Sequence, residues 1–217
     1  MPAERMTDFF ESRIDTYDAH MMTEVEGLPA CYARLAEELP EDAVRIADLG
    51  AGTGLALIPI LERLPHLCVN AIDLSGPMLS RLVARFEGKH ICPIVGDFRT
   101  VKLGIPFLNA VISVESMHHI SEEDRRALYP RIHGAIRAGG VYLEGDYVAA
   151  DTAEEERMLT EAEAARAESG YGADVPLHLD VPMTAEHIVS LLTEAGFAEV
   201  EVIHREGATA LIRARKL

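Results

Sequence analysis

Val44-Arg-Ile-Ala-Asp48-Leu-Gly50-Ala-Gly52-Thr-Gly54-Leu-Ala-Leu-Ile58 is the stretch on which the fold turns. Val44 to Leu49 has the length and apolarity of a buried strand, three glycines punctuate a turn, and a helical pattern from Gly54 to Leu64 follows. Outward from it the alternation continues: strand 67–73, helix 77–86, strand 91–95 and strand 108–114. A helix with Ser121 as N-cap then closes near Gly139-Gly140 before strand 141–148. Strands apolar on both faces and separated by helices predict an α/β, Rossmann-like, doubly wound parallel sheet covered on both sides. The tail adds a Thr184-capped helix ended by Gly196, then a hairpin of strands 199–203 and 208–214 about Glu206-Gly207.

The flanks are helical. Phe10, Ile14, Tyr17 and Met21 fall on one face of an amphipathic helix, and a second run from Leu28 to Leu39 stops at Pro40. Residues 151–169 read as an acidic helix with a thin stripe at Met158, Ala162 and Ala165, followed by a loop through Tyr171, His178, Asp180 and Pro182. With 217 residues at 48% hydrophobic, the chain is expected to form one domain: helical cover 1–42, core 43–150, insertion 151–182, and terminal helix and hairpin 183–217. Of the net charge of −16, −13 lies in residues 1–42 and 151–168, while the core is neutral. No Lys/Arg stripe suits a phosphate backbone, so direct nucleic-acid binding is disfavoured. No apolar run approaches the ~18 residues of a membrane span, and the start of the chain lacks a basic-then-apolar leader pattern. Cys31, Cys68 and Cys92 show no pairing pattern, so a reducing, cytoplasmic setting is expected.

A glycine loop at a strand end is weak by itself; the acids around it sharpen it. Strand two ends in Asp73 and strand three in Gly96-Asp97-Phe98. A carboxylate at the first position suits both ribose hydroxyls, and one at the second suits an adenine amino group. Dinucleotide folds use G-x-G-x-x-G to face a pyrophosphate; here the third glycine falls one residue early and Asp48 would repel that anion. The loop therefore argues against a nicotinamide oxidoreductase and for an adenosine cofactor bearing cationic groups.

The series VRIADLGAGTG, AIDLS, VGDF, SVESMHHI and GGVYLEGDY resembles the class I S-adenosylmethionine-dependent methyltransferases, in order from Val44 to Tyr147. The resemblance implies a seven-stranded, mostly parallel sheet with an antiparallel last strand. It implies that S-adenosyl-L-methionine is the cofactor and S-adenosyl-L-homocysteine the product. Gly50, Gly52 and Gly54 would lie along the methionyl part, with Asp48 at its ammonium, Asp73 at the ribose and Asp97 with Phe98 at the adenine. Ala51, Leu74, Met78 and Glu115 would complete the wall. Tyr17-Asp18 would close over it, and Arg13 would meet the cofactor carboxylate.

E-S-M-H-H at 115–119 resembles the E-S-L-H-H of some sugar and small-molecule O-methyltransferases, which implies His118 and His119 as candidate bases and Asp146 as partner. The open alternative is that the histidines only cap the next helix at Ser121. His20, His178 and Asp180 are weaker candidates, and their spacing matches no metal motif, so no metal is expected. The reading is methyl transfer to O, N or S of a small molecule by a monomer or homodimer. Two alternatives stand beside it. One is a carboxy-S-adenosylmethionine synthase-like enzyme of tRNA wobble-uridine modification, which needs a cation facing the added carboxylate. The other is a non-catalytic cofactor-binding protein. The acidic residues of 1–42 and 151–168, Glu154, Glu155 and Glu156 among them, are read either as solvated helix faces serving solubility or as a negative rim over the pocket that would favour neutral or cationic acceptors.

Overall fold

The computed structural model describes residues 3–104, 107–172 and 174–217. In chain order, β1 (Glu4–Arg5) leads into α1 (Met6–Ser12), α2 (Tyr17–Thr23) and α3 (Leu28–Glu38). The core follows as β2 (Arg45–Leu49), α4 (Leu57–Arg63), β3 (Cys68–Asp73), α5 (Gly76–Arg85), β4 (His90–Val95) and β5 (Leu108–Val114). A 3₁₀ turn (Met117–His119) precedes α6 (Glu122–Ala135), β6 (Ile136–Tyr147) and α7 (Thr152–Ser169). The chain closes with β7 (Leu177–His178), α8 (Ala185–Glu194), β8 (Ala198–Glu206) and β9 (Thr209–Arg215).

Seven strands form one sheet in the order β4-β3-β2-β5-β6-β9-β8, with β9 antiparallel to both neighbours and the other adjacent pairs parallel. Strand order reverses between β2 and β5, so the crevice beyond their carboxyl ends is the place where this architecture accepts ligands. Alternate residues feed two cores: Ile46, Ile112 and Leu143 pack with α3, α4 and α5, while Leu49, Val111 and Tyr142 pack with α6 and α8. Pro93 is tolerated because β4 is an edge strand, where a missing N–H breaks no ladder. Among the described residues, no helix is long and apolar enough to cross a membrane.

Four expectations shift. The helix after the glycine loop begins at Leu57 rather than Gly54, because Gly50, Gly52 and Gly54 all hold left-handed backbone (φ 73, 51 and 81). Helix α6 stops at Ala135, and residues 136–140 are already extended; Ile136 is fully buried against the sheet and pairs with Leu108. Lys216 Nζ caps that helix end, 2.8 Å from the carbonyls of both His133 and Ile136. The single N-terminal helix is instead two: the amides of Arg13 and Thr16 bond three residues back, tightening and ending the turn. In a straight helix residues 10 and 17 are separated by about 10 Å of rise; the break brings the Phe10 and Tyr17 rings to a centroid distance of 5.9 Å. The loop after α7 also contains β7, which pairs antiparallel with β1 and so ties the insertion to the N-terminal cover.

Candidate active site

The carboxyl ends of β2 to β6 border two cavities, of about 340 Å³ and about 900 Å³. Both fall in the usual range of small-molecule sites. Phe10, Tyr17, Glu115 and His119 line both, forming the wall between them.

The smaller cavity gathers Gly50, Gly52, Asp73, Leu74, Met78, Asp97, Phe98 and Glu115. The Asp73 carboxylate accepts from the amides of Gly52 and Ser75, both at 2.8 Å, which sets it at the edge of the loop; burial still holds its pKa above the usual carboxylate range. Ser75 in turn caps α5 by accepting from the Met78 amide at 3.2 Å. Arg99, which the sequence reading did not single out, grips Asp97 through Nε and Nη2 and reaches Asp124 at 3.0 Å. The Gly50 backbone admits no side chain: a Cβ there would lie 2.0 Å from Ser116 Oγ.

Asp48 sits behind the loop beside Ala51, Tyr17 and Tyr32. It is buried, its Oδ2 has no partner, and burial followed by the nearby Asp73 charge pushes its pKa up to about 8. A buried carboxylate lacking a donor fits a ligand that brings an ammonium, so this donor set suits an aminoacyl-nucleoside. Asp18 anchors the cover over the loop by accepting from Thr53 Oγ1 at 2.5 Å and pairing with Arg85. Two residues lie elsewhere than the resemblance implied. A Cβ on Gly54 would meet Leu82 and Phe86 at 2.8 Å, so this glycine serves helix packing. Arg13 lines the larger cavity, with its guanidinium over the Phe9 ring and 3.4 Å from Glu4.

The larger cavity holds the histidines. Asp146 Oδ1 is 2.5 Å from His118 Nδ1, and Oδ2 accepts the His118 amide at 2.8 Å, fixing both the 3₁₀ turn and the ring. Behind them Arg125, fully buried, bonds Glu144 at 3.0 Å and lies 3.9 Å from Asp146; Glu144 also accepts from Tyr129 and Tyr142. Burial favours the neutral ring of His118, but Asp146 outweighs it and raises the pKa to about 9. His119 moves the opposite way: burial and then the His118 charge lower its pKa. Ser121 caps α6 itself by accepting from the Asp124 amide at 3.1 Å, so that cap does not need the histidines.

The fold also brings in residues whose reach the sequence left open. The Val181 amide bonds the His118 carbonyl at 2.7 Å, and this holds Asp180 Oδ1 3.2 Å from His119 Nδ1. His178 stacks on Phe9 with centroids 3.5 Å apart, and His20 lies on the same cavity. Nothing in their sequence spacing signals this, because β1–β7 pairing across some 170 residues creates it. Of the acids on α7 only Glu163 lines the smaller cavity. Glu154 accepts from the Ala150 amide, and Glu155 pairs with His187 at 2.6 Å and accepts from the Thr184 amide, so these two tie down the insertion rather than rim the pocket.

Residues 46–140 match the family described as Methyltransferase domain. Over 95 residues the chain is 34% identical to an uncharacterized methyltransferase of Mycobacterium tuberculosis (strain ATCC 25618 / H37Rv), covering 44% of this chain and 46% of that protein. The chain thus spans about half the length of that relative. A carboxy-S-adenosyl-L-methionine synthase of Nautilia profundicola is 23% identical over 174 residues, covering 76% of this chain and 74% of the other. The fold matches the Burkholderia thailandensis 1,6-didemethyltoxoflavin-N1-methyltransferase, solved with 1,6-didemethyltoxoflavin and S-adenosylhomocysteine. The TM-score is 0.67 at 21% identity, over 96% of this chain and 85% of that one. The domain match lies over β2 to β6, and the sheet order agrees with the fold of the solved methyltransferase.

Proposed function

We propose that this protein transfers the methyl group of S-adenosylmethionine to an N or O atom of a small molecule held in the larger cavity. The carrying observation is the wall shared by the two cavities, Phe10, Tyr17, Glu115 and His119. In this reading Gly50, Gly52, Asp48, Asp73, Asp97, Phe98, Leu74 and Met78 hold the cofactor, which when bound supplies an electrophilic methyl. The aromatic cover of Phe10 and Tyr17 excludes water, and the protein's remaining task is to align the acceptor and take its proton.

His119 is the better base of the pair. At a pKa of about 9, only about 1% of His118 is unprotonated at pH 7. His119 is held neutral and lies on the shared wall. His118 with Asp146 acts as a positioning ion pair that fixes the turn carrying His119. The synthase reading draws support from relatives such as the Nautilia enzyme. It needs a free cation for a carboxylate; Arg13, the one Arg or Lys among the described lining residues of the larger cavity, is answered by Glu4.

The test is calorimetry with S-adenosylhomocysteine, followed by a metabolite-extract screen with methyl-labelled cofactor and mass identification of the product. Binding plus a labelled small molecule supports the reading. Nucleoside binding without any labelled product favours a non-catalytic cofactor-binding protein.

A further inference from the structure

We infer that the larger cavity selects an amine carrying an aryl or comparably flat apolar body, and that Glu115 and Asp180 hold its ammonium. The inference rests on the proposed methyl transfer and narrows its acceptor class.

Charges around the cavity are unequal in a specific way. The cations are already answered, Arg13 by Glu4 and His118 by Asp146. The carboxylates are answered less fully: Glu115 Oε1 is sealed from solvent without a hydrogen-bond partner, and Asp180 Oδ1, also sealed, has only the two histidine rings beside it. Asp180 Oδ1 lies 3.8 Å from His118 Nε2 and 3.2 Å from His119 Nδ1, a nitrogen it shares with the Leu179 carbonyl at 3.4 Å. A buried acceptor without a donor is costly, and a ligand that brings N–H groups relieves it.

Glu115 has a second peculiarity. It holds left-handed backbone (φ 51) directly after β5, a conformation disfavoured for any residue but glycine. Its own amide bonds the Gly145 carbonyl at 2.8 Å, which locks that conformation in place. The strained geometry turns a carboxylate onto the wall common to both cavities, where the acceptor nitrogen must meet the methyl donor.

Part of the remaining lining is aromatic. Phe9, Phe10, Tyr147 and His178 line the same cavity as the carboxylates; Phe9 is stacked on His178 and carries the Arg13 guanidinium, and Phe10 stands edge-on to His178 at 5.5 Å, which leaves Phe10 and Tyr147 to meet a ligand. Such faces accept a flat apolar body and attract a cation through their π electrons. Glu24 and Glu26 on the outer lining add negative potential along the approach. An anionic acceptor meets none of these features favourably. His119, neutral beside the ammonium, is placed to receive the proton that the nitrogen must lose before attack.

The experiment uses the full chain saturated with S-adenosylhomocysteine and three probes of similar shape: 2-phenylethylamine, 2-phenylethanol and 3-phenylpropionate. Affinities are read by calorimetry or ligand-observed NMR at pH 8. The amine is expected to bind at least tenfold more tightly than the alcohol, with the acid weakest. Glu115→Gln and Asp180→Asn are each expected to cut the amine-over-alcohol preference at least fivefold, with circular dichroism melts showing that both fold. Equal binding of amine and alcohol, preference for the acid, no binding of the amine, or an undiminished preference in both variants overturns the inference. Failure of S-adenosylhomocysteine to bind the wild type is read separately and falls on the cofactor assignment.

Discussion

Replacing Asp146 by Asn removes the anion that keeps His118 charged, and the consequence for stability has a definite sign and pH window. The His118 pKa is about 9 in the folded protein against an ordinary 6.5. A folded-state pKa raised in this way contributes stability that is complete below pH 6.5 and disappears as pH rises through 9. The shift of about 2.5 units corresponds to about 3 kcal/mol, and since the side chain is only 8% exposed, solvent screening takes little from it. In Asp146→Asn, burial is left as the dominant influence on the ring; His118 is then neutral in both states above pH 7, and its contribution is flat. The stability gap between wild type and variant should therefore narrow by about 2 kcal/mol between pH 7 and pH 9.5. Glu115, whose pKa is pushed up to about 7 chiefly by burial, also titrates in the lower part of that window, so the ring signal is what assigns the change to His118. Urea unfolding of both proteins at several pH values measures the gap, and the His118 Cε1–H shift reports the ring directly. A gap that stays constant from pH 7 to 9.5, or a wild-type ring that titrates near 6.5, would show that Asp146 does not hold the charge.

Other outcomes follow from the same geometry. Asp73→Ala should weaken S-adenosylhomocysteine at least tenfold by calorimetry, since two ribose hydroxyls lose a charged acceptor worth about 1.5–3 kcal/mol per bond, while NAD should not bind wild type. Gly54→Ala should lower the melting temperature by several degrees through its clash with Leu82 and Phe86, and cost cofactor affinity much less than Gly50→Ala, which strikes Ser116 beside the cavity. His119→Ala should reduce turnover on an identified acceptor by about 10² or more with little change in cofactor affinity; wild-type turnover would leave the proton to another group. Amine affinity should rise with pH from 6 to 8 as Glu115 ionises near 7, and a pH-independent affinity would exclude it as the ammonium's partner.

What could be read from the chain alone divides along a physical line. The sheet was legible because each strand from Val44 to Tyr147 carries its own apolar run and its own terminating residues, and local signals suffice for parallel β/α alternation. The carboxylates of the proposed cofactor cavity were legible for the same reason: Asp48, Asp73 and Asp97 each lie at or just beyond the end of a strand. Two of the side chains that shape the acceptor cavity were not legible as such. Asp180 meets His119 only because Val181 hydrogen-bonds His118, and Phe9 meets His178 only because Glu4–Arg5 pairs with Leu177–His178. Neither contact leaves a periodicity or a spacing in the sequence. The acidity of 151–168 was legible as charge but its role was open, and Glu154 and Glu155 spend theirs on the Ala150 and Thr184 amides and on His187. In the proposed reading the charge that faces the acceptor comes from Glu115 and Asp180. Specificity is then a property of how the N-terminal cover and the insertion are stitched together. A substitution that loosens β1 from β7 should accordingly alter which acceptor is taken while leaving the glycine loop and its carboxylates, which sit at the ends of β2 to β4, able to hold the nucleoside.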